Sequence, residues 1–477
     1  MTDLKRQVKT GIYWSAASNF ANKGMQFVFS IILARLLAPS DYGVVGMLTI
    51  FITIIQLFVD SGFSQAIITK QDRTQQDLST AFFFNIGVGI LGYAILFMVS
   101  PCIARFYGMP ILSPILKVSA LGVVFNSLSI VQSANFAIRL DFKTPAIISV
   151  FSQFFAGLIG IILAYNGFGV WSLVFQQVVG GAVGVVLNWI SVRWIPSMEF
   201  SVSSFRYMFG YGSKVLGASI ISTVYDNIQP LIIGKCFSAT MLGLFSRAQS
   251  FAVFPSSNFS GILNGVTFPL LSKINGDIQR LASVYRRLIR MSAFIVFPLM
   301  IGLAALAEPV VKILLPERWY ACIPMLQIIC FSLIWQPISS VNLNLLKAAK
   351  RPDIVLKLEI VKKIVGLSLL FASIPFGIIV MCFANLISCI FAVIVNTIMT
   401  SRTLGLPFIE QLKDLGPILG NSLIMGSIVY ATAFFINNHI LVLTIGITIG
   451  AMYYIFVSKL FMKDLFDDAI YMIKNRV

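Results

Sequence analysis

Residues 377–399 read GIIVMCFANLISCIFAVIVNTIM, a run of 23 residues without a charged side chain. A helix needs about 20 apolar residues to cross the hydrocarbon core of a bilayer, so this run is long enough to span a membrane. Similar runs recur along the whole chain, which has 477 residues, is 58% hydrophobic and 11% charged, and has a mean hydropathy of +0.90. This pattern predicts an all-α, polytopic membrane protein.

The apolar runs predict about fourteen transmembrane helices joined by short connections. We place them at residues 11–35, 41–64, 79–104, 111–136, 146–165, 168–192, 209–234, 240–265, 289–308, 322–345, 356–373, 377–399, 415–436 and 440–461. None of the outer connections is long enough to form a catalytic domain.

The basic residues are distributed asymmetrically between the predicted connections. Of 35 Lys and Arg residues, 25 fall in segments that face the cytoplasm when the N-terminus is placed inside. Only five fall at the outer ends and loops: Arg35, Arg105, Lys235, Lys312 and Arg318. Cytoplasmic loops are enriched in Lys and Arg, so both termini are predicted to be cytoplasmic. The net charge of +17 is therefore a topology signal, and we expect no nucleic-acid partner.

Residue types that carry metal or nucleophilic chemistry are sparse. The six cysteines lack the paired spacing of a metal site, and the single histidine, His439, falls in a short outer turn. The first apolar segment has no small-residue cleavage site and contains Lys23, so we predict a retained span rather than a signal peptide. We expect no catalytic residue, no metal and no cofactor, and therefore no enzyme.

Two stretches 200 residues apart resemble each other. ARLLAPSDYG (34–43) and GKCFSATMLG (234–243) each begin with a small residue and a base, pass through a short polar connection and end on glycine. An even number of spans separates them, which predicts parallel six-helix repeats related by a pseudo-two-fold axis along the membrane normal. The predicted lobes are residues 1–200 and 201–400, and residues 401–477 add two further helices and a cytoplasmic tail.

The longest cytoplasmic connection is SKINGDIQRLASVYRRLIR (272–290). It predicts an amphipathic helix that joins the eighth and ninth spans, with its arginines held at anionic lipid headgroups.

Lys23 is the most deeply placed charge of the first span. Twelve residues, or roughly 18 Å of helix, separate it from Arg35 at the outer end. Asn19, Asn22 and Gln26 lie on adjoining turns and complete a polar stripe. A charge at this depth usually faces a cavity or a partner, so Lys23 and Gln26 are candidate substrate contacts. The alternative is a lysine that snorkels or pairs with a carboxylate.

Asp226 and Arg247 are predicted at similar depth on the adjacent seventh and eighth spans. One interpretation is an interhelical ion pair that lowers the desolvation penalty of both charges. The other is an arginine that binds an anionic substrate, while Asp226 orients it or takes up a coupling cation. Pro230 cannot donate to the Asp226 carbonyl, so a kink is expected beside the carboxylate and Asn227.

Several further polar residues are weaker candidates. Lys117, Lys362 and Lys363 fall within spans and either line a vestibule or snorkel to the surface. Arg35 and Lys235 are equivalent bases at the outer mouth of the two halves, suited to an exit vestibule or to headgroup anchoring.

Two segments carry a resemblance to a known family. YDNIQPLIIGKCFSATMLGLFSRAQSFAVFPSSNFSGILNGVTFPLLSKI (225–274) resembles the seventh and eighth spans of polysaccharide flippases of the colanic-acid exporter type. LLAPSDYGVVGM (36–47) and GFSQAIITK (62–70) are similar to the first hairpin of that family. The family belongs to the multidrug/oligosaccharidyl-lipid/polysaccharide superfamily.

The resemblance implies a substrate, a mechanism and a location. The substrate would be a polyprenyl-pyrophosphate-linked oligosaccharide, moved by alternating access to the periplasmic leaflet of the bacterial cytoplasmic membrane for exopolysaccharide, O-antigen or capsule-type synthesis. The last two helices would accommodate the lipid tail. Membrane lipids, a polysaccharide polymerase and other assembly proteins would be partners. No phosphate-binding GxxxxGK[ST] motif occurs, so membrane potential, H⁺ or Na⁺ is the expected energy source.

Three rival functions are weighed against this one. A drug or cation antiporter of the same superfamily should prefer acidic residues, whereas the spans here hold more bases than acids. A membrane glycosyltransferase or polymerase needs a large outer loop or an acidic catalytic cluster. A structural scaffold has no need of charges buried at matched depth.

Overall fold

The computed structural model describes residues 2–60, 62–274 and 278–474. Their regular structure is entirely helical, which confirms the all-α prediction. The helices before residue 240 are α1 Thr2–Leu36, α2 Pro39–Asp60, α3 Phe63–Thr69, α4 Gln75–Tyr107, α5 Leu112–Ser119, α6 Leu121–Ile138, α7 Lys143–Tyr165, α8 Val170–Val192, α9 Val202–Cys236 and the start of α10 Ala239–Lys273.

The later helices run to the end of the described chain. They are α11 Ile278–Ala305, α12 Ala307–Leu314, α13 Ile323–Leu333, α14 Gln336–Ala348, α15 Pro352–Ser373, α16 Ile378–Leu404, α17 Phe408–Phe435, α18 His439–Phe461 and α19 Lys463–Lys474. Two 3-10 turns, Glu317–Cys322 and Ile374–Phe376, precede α13 and α16.

Ten helical segments in the described residues are long and apolar enough to cross a membrane. Four predicted spans, those beginning at 11, 209, 240 and 356, lie on α1, α9, α10 and α15, which are outside this set. The protein is therefore a multi-pass membrane protein, and the count of fourteen spans stays a prediction.

Some predicted spans are broken helices. The second span divides into α2 and α3 around Gly62, whose φ of 74° is left-handed. The tenth divides into α13 and α14. Residues 278–290, which were predicted to form an amphipathic helix joining the eighth and ninth spans, form the first turns of α11 and continue into the ninth span without a break. Residues 275–277 of that stretch lie outside the described residues.

The chain forms two compact units, Met1–Gly243 and Leu244–Val477. The lobe boundaries predicted after residues 200 and 400 concern the sequence repeat and remain predictions. In the first unit, α9 packs against α2, α3 and α4. The core there includes Phe63, Phe82, Val131 and Met208, which are buried on α3, α4, α6 and α9.

The two similar hairpin segments meet within the first unit. A Cβ at Gly43 would overlap the carbonyl of Ala239, and a Cβ at Gly243 would overlap the carbonyl of Pro39. Since 43 and 243, and 39 and 239, are each 200 residues apart, the contact is reciprocal. Reciprocal contacts of this kind are what a local two-fold axis produces.

In the second unit, α11 is the central helix. It packs against α13, α14 and α17, and α17 packs against α18. Tyr285 and Phe297 of α11 are fully buried, as is Trp319 in the 3-10 turn before α13. The core is therefore built around large aromatic side chains, which bury more apolar area than aliphatic ones.

Candidate transport site

The residues of the polar stripe predicted on α1 differ in their surroundings. Asn22 Nδ2 donates a hydrogen bond to Ser149 Oγ on α7, at 2.7 Å. Lys23 is half-buried and Gln26 is exposed. Asn22 therefore ties two helices together, while Lys23 and Gln26 stay candidates for substrate contact.

Lys117 rests on an aromatic ring. Its Nζ lies 4.4 Å from the centroid of the Phe97 ring on α4, and the side chain is half-buried. A cation over a ring face is attracted by the ring quadrupole. This contact favours a structural role for Lys117 over the predicted vestibule role.

The two outer-mouth bases differ in their surroundings. Lys235, in the last turn of α9, donates to the carbonyl of Phe106, and its Nζ lies 4.5 Å from the centroid of the Phe106 ring. Arg35, in the last turn of α1, is exposed. Lys235 thus fastens α9 to the end of α4.

Asp226 and Asn227 lie on α9, which continues through Pro230 to Cys236. Asp226 is exposed, and Asn227 Nδ2 donates to the carbonyl of Thr223 at 2.9 Å. The amide of Asn227 is thus engaged by its own helix. Asp226 belongs to the first unit and Arg247 to the second, and their pairing stays a prediction.

Arg247 on α10 is enclosed, with 4% of its surface exposed. Its guanidinium carbon lies 5.2 Å from the centroid of the Trp319 ring, which is itself fully buried. A planar guanidinium stacks well on an indole, and this contact stabilises the buried charge. Of the two interpretations left open by the sequence, the substrate-binding one requires Arg247 to become accessible in another state, because its side chain is enclosed here.

Lys362 and Lys363 lie on α15 in the second unit. Lys362 Nζ bonds Glu359 Oε1 at 2.5 Å, one helical turn away, and its side chain is 11% exposed. Lys363 is half-buried. The local ion pair lowers the penalty of holding Lys362 at this depth, which favours its structural interpretation.

A buried polar network in the second unit was missed from the sequence. The Tyr285 hydroxyl is in hydrogen-bond contact with the amides of Asn342 and Gln411, at 2.8 Å from Gln411 Oε1. Asn342 Nδ2 also donates to Thr397 Oγ1 at 3.2 Å. The network joins α11, α14, α16 and α17, and none of these residues carries a charge that would have attracted notice.

Two of the four arginines of residues 272–290 pair with carboxylates, whereas the sequence placed them at lipid headgroups. Arg286 binds Asp414 through two hydrogen bonds of 2.7 and 2.9 Å and reaches Glu410 at 3.1 Å. Arg287 makes a similar two-bond pair with Asp468 on α19. Glu410 and Asp414 are four residues apart, a spacing that places both on one helix face and could have indicated a basic partner.

A polar cavity in the first unit was also missed. It has a volume of about 440 Å³ and lies where α2 ends and α3 begins. Its polar lining is Asp60, Ser64, Gln65, Asn126, Ser133 and Ser219. Asn126 Nδ2 donates to Asp60 Oδ1 at 3.0 Å.

An apolar groove lies in the second unit between α11, α13 and α17. It has a volume of about 420 Å³ and its lining includes Ile301, Phe331, Leu423, Tyr430 and Phe434. Its composition suits a hydrocarbon chain rather than a sugar or a phosphate.

Long apolar helices with charges and cavities among them define a multi-pass membrane protein of a transporter type. The chain belongs to the family of polysaccharide biosynthesis proteins, whose model matches residues 32–324. The resemblance to polysaccharide flippases found in the sequence is thereby confirmed.

Curated relatives are similar over most of the chain. The teichuronic acid biosynthesis protein TuaB of Bacillus subtilis is 25% identical over 79% of this chain and 78% of its own. The succinoglycan biosynthesis transport protein ExoT of Rhizobium meliloti is 24% identical over 69% and 66%. The lipopolysaccharide biosynthesis protein WzxC of Escherichia coli is 24% identical over 75% and 73%.

Solved structures share the fold. The lipid II flippase MurJ, in an inward closed conformation, superposes with a TM-score of 0.79 at 16% identity, over 95% of this chain and 99% of that one. An inward-facing multidrug transporter of the MATE family and MOP superfamily superposes at 0.63 and 13% identity, over 80% and 95%. The predicted fold of that superfamily is confirmed.

Proposed function

We propose that this protein is a flippase for polyprenyl-pyrophosphate-linked oligosaccharides, which it moves from the cytoplasmic to the periplasmic leaflet. The observation that carries the proposal is membership of the polysaccharide biosynthesis family in a chain that shares the MurJ fold over 95% of its length. The relatives' names place them in the synthesis or transport of teichuronic acid, succinoglycan and lipopolysaccharide. The protein acts as a carrier and performs no covalent chemistry.

The pyrophosphate requires positive charge that it can reach. Lys23 is the half-buried base of α1, and Arg247 is the enclosed base of α10 that becomes available when its surroundings open. Charge-assisted hydrogen bonds to phosphate are about twice as strong as neutral ones. Gln26 and Asn227 offer amides to the sugar, Lys117, Lys362 and Lys363 are secondary bases, and Arg35 and Lys235 stand at the exit.

The polyprenol tail requires a continuous apolar surface. The groove between α11, α13 and α17 offers one, and α17 is the first of the two helices that follow the six-helix repeats. The tail would then remain in an apolar environment while the headgroup crosses.

Movement of the headgroup needs no nucleotide. An anionic headgroup that leaves a negative-inside cell gains about 2.3 kcal/mol per charge per 100 mV. Membrane potential is one driving force, and exchange for H⁺ or Na⁺, with Asp226 as the coupling carboxylate, is another. Both termini would lie in the cytoplasm, and a polymerase with other assembly proteins would receive the product.

A multidrug or cation antiporter is the second candidate, because the MATE transporter shares the fold. The excess of basic over acidic residues in the spans favours an anionic substrate.

The proposal is tested by the leaflet accessibility of lipid-linked repeat units. Cells that lack the protein should accumulate these units in the cytoplasmic leaflet, and the wild-type gene should restore their exposure to a membrane-impermeant lectin or oxidant. Unchanged accessibility after deletion would contradict the proposal. Export of an organic cation with no effect on the glycan would support the antiporter instead.

A further inference from the structure

The break between α2 and α3 brings two sources of negative potential together. The last carbonyls of a helix have no intrahelical donor, and the C-terminal end carries a partial negative charge. α2 ends on Asp60. The negative carboxylate of Asp60 therefore lies at the partially negative C-terminal end of the helix, where a negative charge is unfavourable. Leu57 and Asp60 of that last turn, together with Gly62 at the break, line the cavity of about 440 Å³.

The other lining residues that the structure describes offer oxygen ligands and include no base. Among the lining residues of the described chain, Asp60 is the only charged one. Ser64, Gln65, Ser133 and Ser219 contribute hydroxyl and amide oxygens. Asn126 donates to one carboxylate oxygen, which fixes the orientation of Asp60 and leaves the other oxygen available.

We propose that this cavity binds a monovalent cation, with Na⁺ as the ion of suitable size and hardness. Unwound backbone and half-helix C-terminal ends coordinate Na⁺ in broken transport helices, because their carbonyls point at the ion. The cation neutralises Asp60 and the end of α2, Asn126 positions the carboxylate, and the hydroxyls and water complete the shell. The volume leaves room for several waters, each of which occupies about 30 Å³.

Other ligand classes fit the cavity less well. An anion would meet an unopposed carboxylate. Ca²⁺ takes 6–8 oxygen ligands and usually more than one carboxylate, and Asp60 is a single one. A sugar site would gain from an aromatic platform, and the lining described above contains no aromatic ring.

The proposed cation site lies at the end of α2 and does not include Asp226 of α9. Binding of the cation stands independently of the proposed flippase activity, whereas its use as a coupling ion rests on that activity. A binding measurement without lipid substrate therefore keeps the two apart.

The test is equilibrium binding of radioactive Na⁺ to the purified full-length protein in nanodiscs at mildly alkaline pH, with choline as the replacing cation. Wild type should bind one Na⁺ per chain, and K⁺ should compete poorly. Asp60→Asn should weaken binding by roughly tenfold or more, because the charge that neutralises the ion is lost. Asn126→Ala, which keeps the charge, should weaken it by a smaller factor.

Asp72→Asn is the matched control, since Asp72 is an exposed carboxylate that does not line the cavity. It should bind Na⁺ as wild type does. Thermal unfolding of each variant checks that it is folded, and Na⁺ should raise the Tm of wild type but not of Asp60→Asn. No Na⁺ binding by wild type, or equal binding by a folded Asp60→Asn variant, would overturn the proposal. Loss of glycan export with intact Na⁺ binding, or the reverse, would separate the site from the flippase.

Discussion

Arg247 and Lys117 both rest against aromatic rings, 5.2 Å from Trp319 and 4.4 Å from Phe97. A ring face lowers the penalty of burying a cation without cancelling its charge. Lys362 is held in another way, by the carboxylate of Glu359. The ring contact of Arg247 is compatible with an anion-binding role in a state in which its guanidinium is accessible.

We predict that export requires Arg247, and that Trp319 holds the Arg247 side chain in place. We expect Arg247→Ala to lower glycan export by roughly tenfold or more, since a charged hydrogen bond is worth about 1.5–3 kcal/mol. Arg247→Lys should retain part of the activity, because a lysine supplies charge without the planar fork. Export is measured as periplasmic exposure of the lipid-linked unit, with the amount of protein in the membrane as the normalisation.

Trp319→Phe is the control for stability in this experiment. It should lower the Tm while keeping more export than Arg247→Ala, because the guanidinium is retained. Full export by Arg247→Ala would show that the arginine serves only packing.

Asp77 at the start of α4 should matter for stability. It is 3% exposed and accepts hydrogen bonds from Lys70 Nζ at 2.7 Å and from the backbone amide of Thr74 at 2.8 Å. Thr74 completes a capping box at the same end. Asp77→Ala should lower the free energy of unfolding by about 1–3 kcal/mol, because Lys70 and the Thr74 amide lose hydrogen bonds to a charged acceptor. Chemical denaturation in detergent measures it, and an Asp72→Ala control should change stability little.

The sequence identified some of these residues as functional candidates and missed others. Lys23 and Arg247 stood out because a charge inside an apolar run is conspicuous. Asp60 did not, since its importance comes from a helix break and from Asn126, which is 66 residues further along the chain. Tyr285 was missed because buried tyrosines are common and only the fold brings Asn342 and Gln411 to it.

At the scale of elements, the N-terminal part of α11 is bonded to two of the C-terminal helices. Tyr285 contacts Gln411 of α17, and its neighbours Arg286 and Arg287 pair with Asp414 of α17 and Asp468 of α19. Three consecutive side chains of one turn thus hold two other helices. This part of the predicted amphipathic linker therefore connects α11 to α17 and α19, and we call its residues 285–287 the clamp.

A double-mutant cycle at Arg286 and Asp414 should detect this clamp. Arg286 and Asp414 are joined by two hydrogen bonds, and the Asp414 side chain is 13% exposed. We therefore expect a coupling energy near the upper end of the range for surface pairs, about 1 kcal/mol. Arg286→Ala and Asp414→Ala should each lower the Tm, and the double variant should lower it by less than their sum. Additive effects would contradict the pair.

Helix positions followed from the apolar runs more closely than helix breaks did. Residues 378–399 of the apolar run lie within α16, and the hydrophobic pattern suffices for such a helix. The break at Gly62 depends on one left-handed residue, and the joining of 278–290 to α11 depends on the partners of Arg286 and Arg287. Such features are decided by tertiary contacts, which a linear pattern does not contain.

At the scale of the whole molecule, the 200-residue repeat links the fold to the proposed transport cycle. The reciprocal contacts of Gly43 with Ala239 and of Gly243 with Pro39 lie at the predicted outer hairpins. Alternating access requires such outer contacts to form in one state and separate in another. Both glycines lack a Cβ at the point of closest approach, so the crossing depends on their small size.

Gly43→Ala and Gly243→Ala should therefore both bias the protein against the described state. Each new Cβ would overlap a backbone carbonyl that cannot rotate away, so the hairpins must separate. We expect export to fall and a Ser40→Cys reporter, in a background without native cysteines, to react faster with an impermeant maleimide added from outside.

Gly122→Ala is the matched control for this pair, because a Cβ there meets no atom within 4 Å. It should leave export and labelling unchanged.

The 200-residue repeat also predicts how the effects of the two substitutions compare with each other. Because the contacts are reciprocal, Gly43→Ala and Gly243→Ala should shift labelling in the same direction and by similar factors. If one opens the outer side while the other leaves labelling and export as in wild type, the two crossings do not work as a symmetric pair.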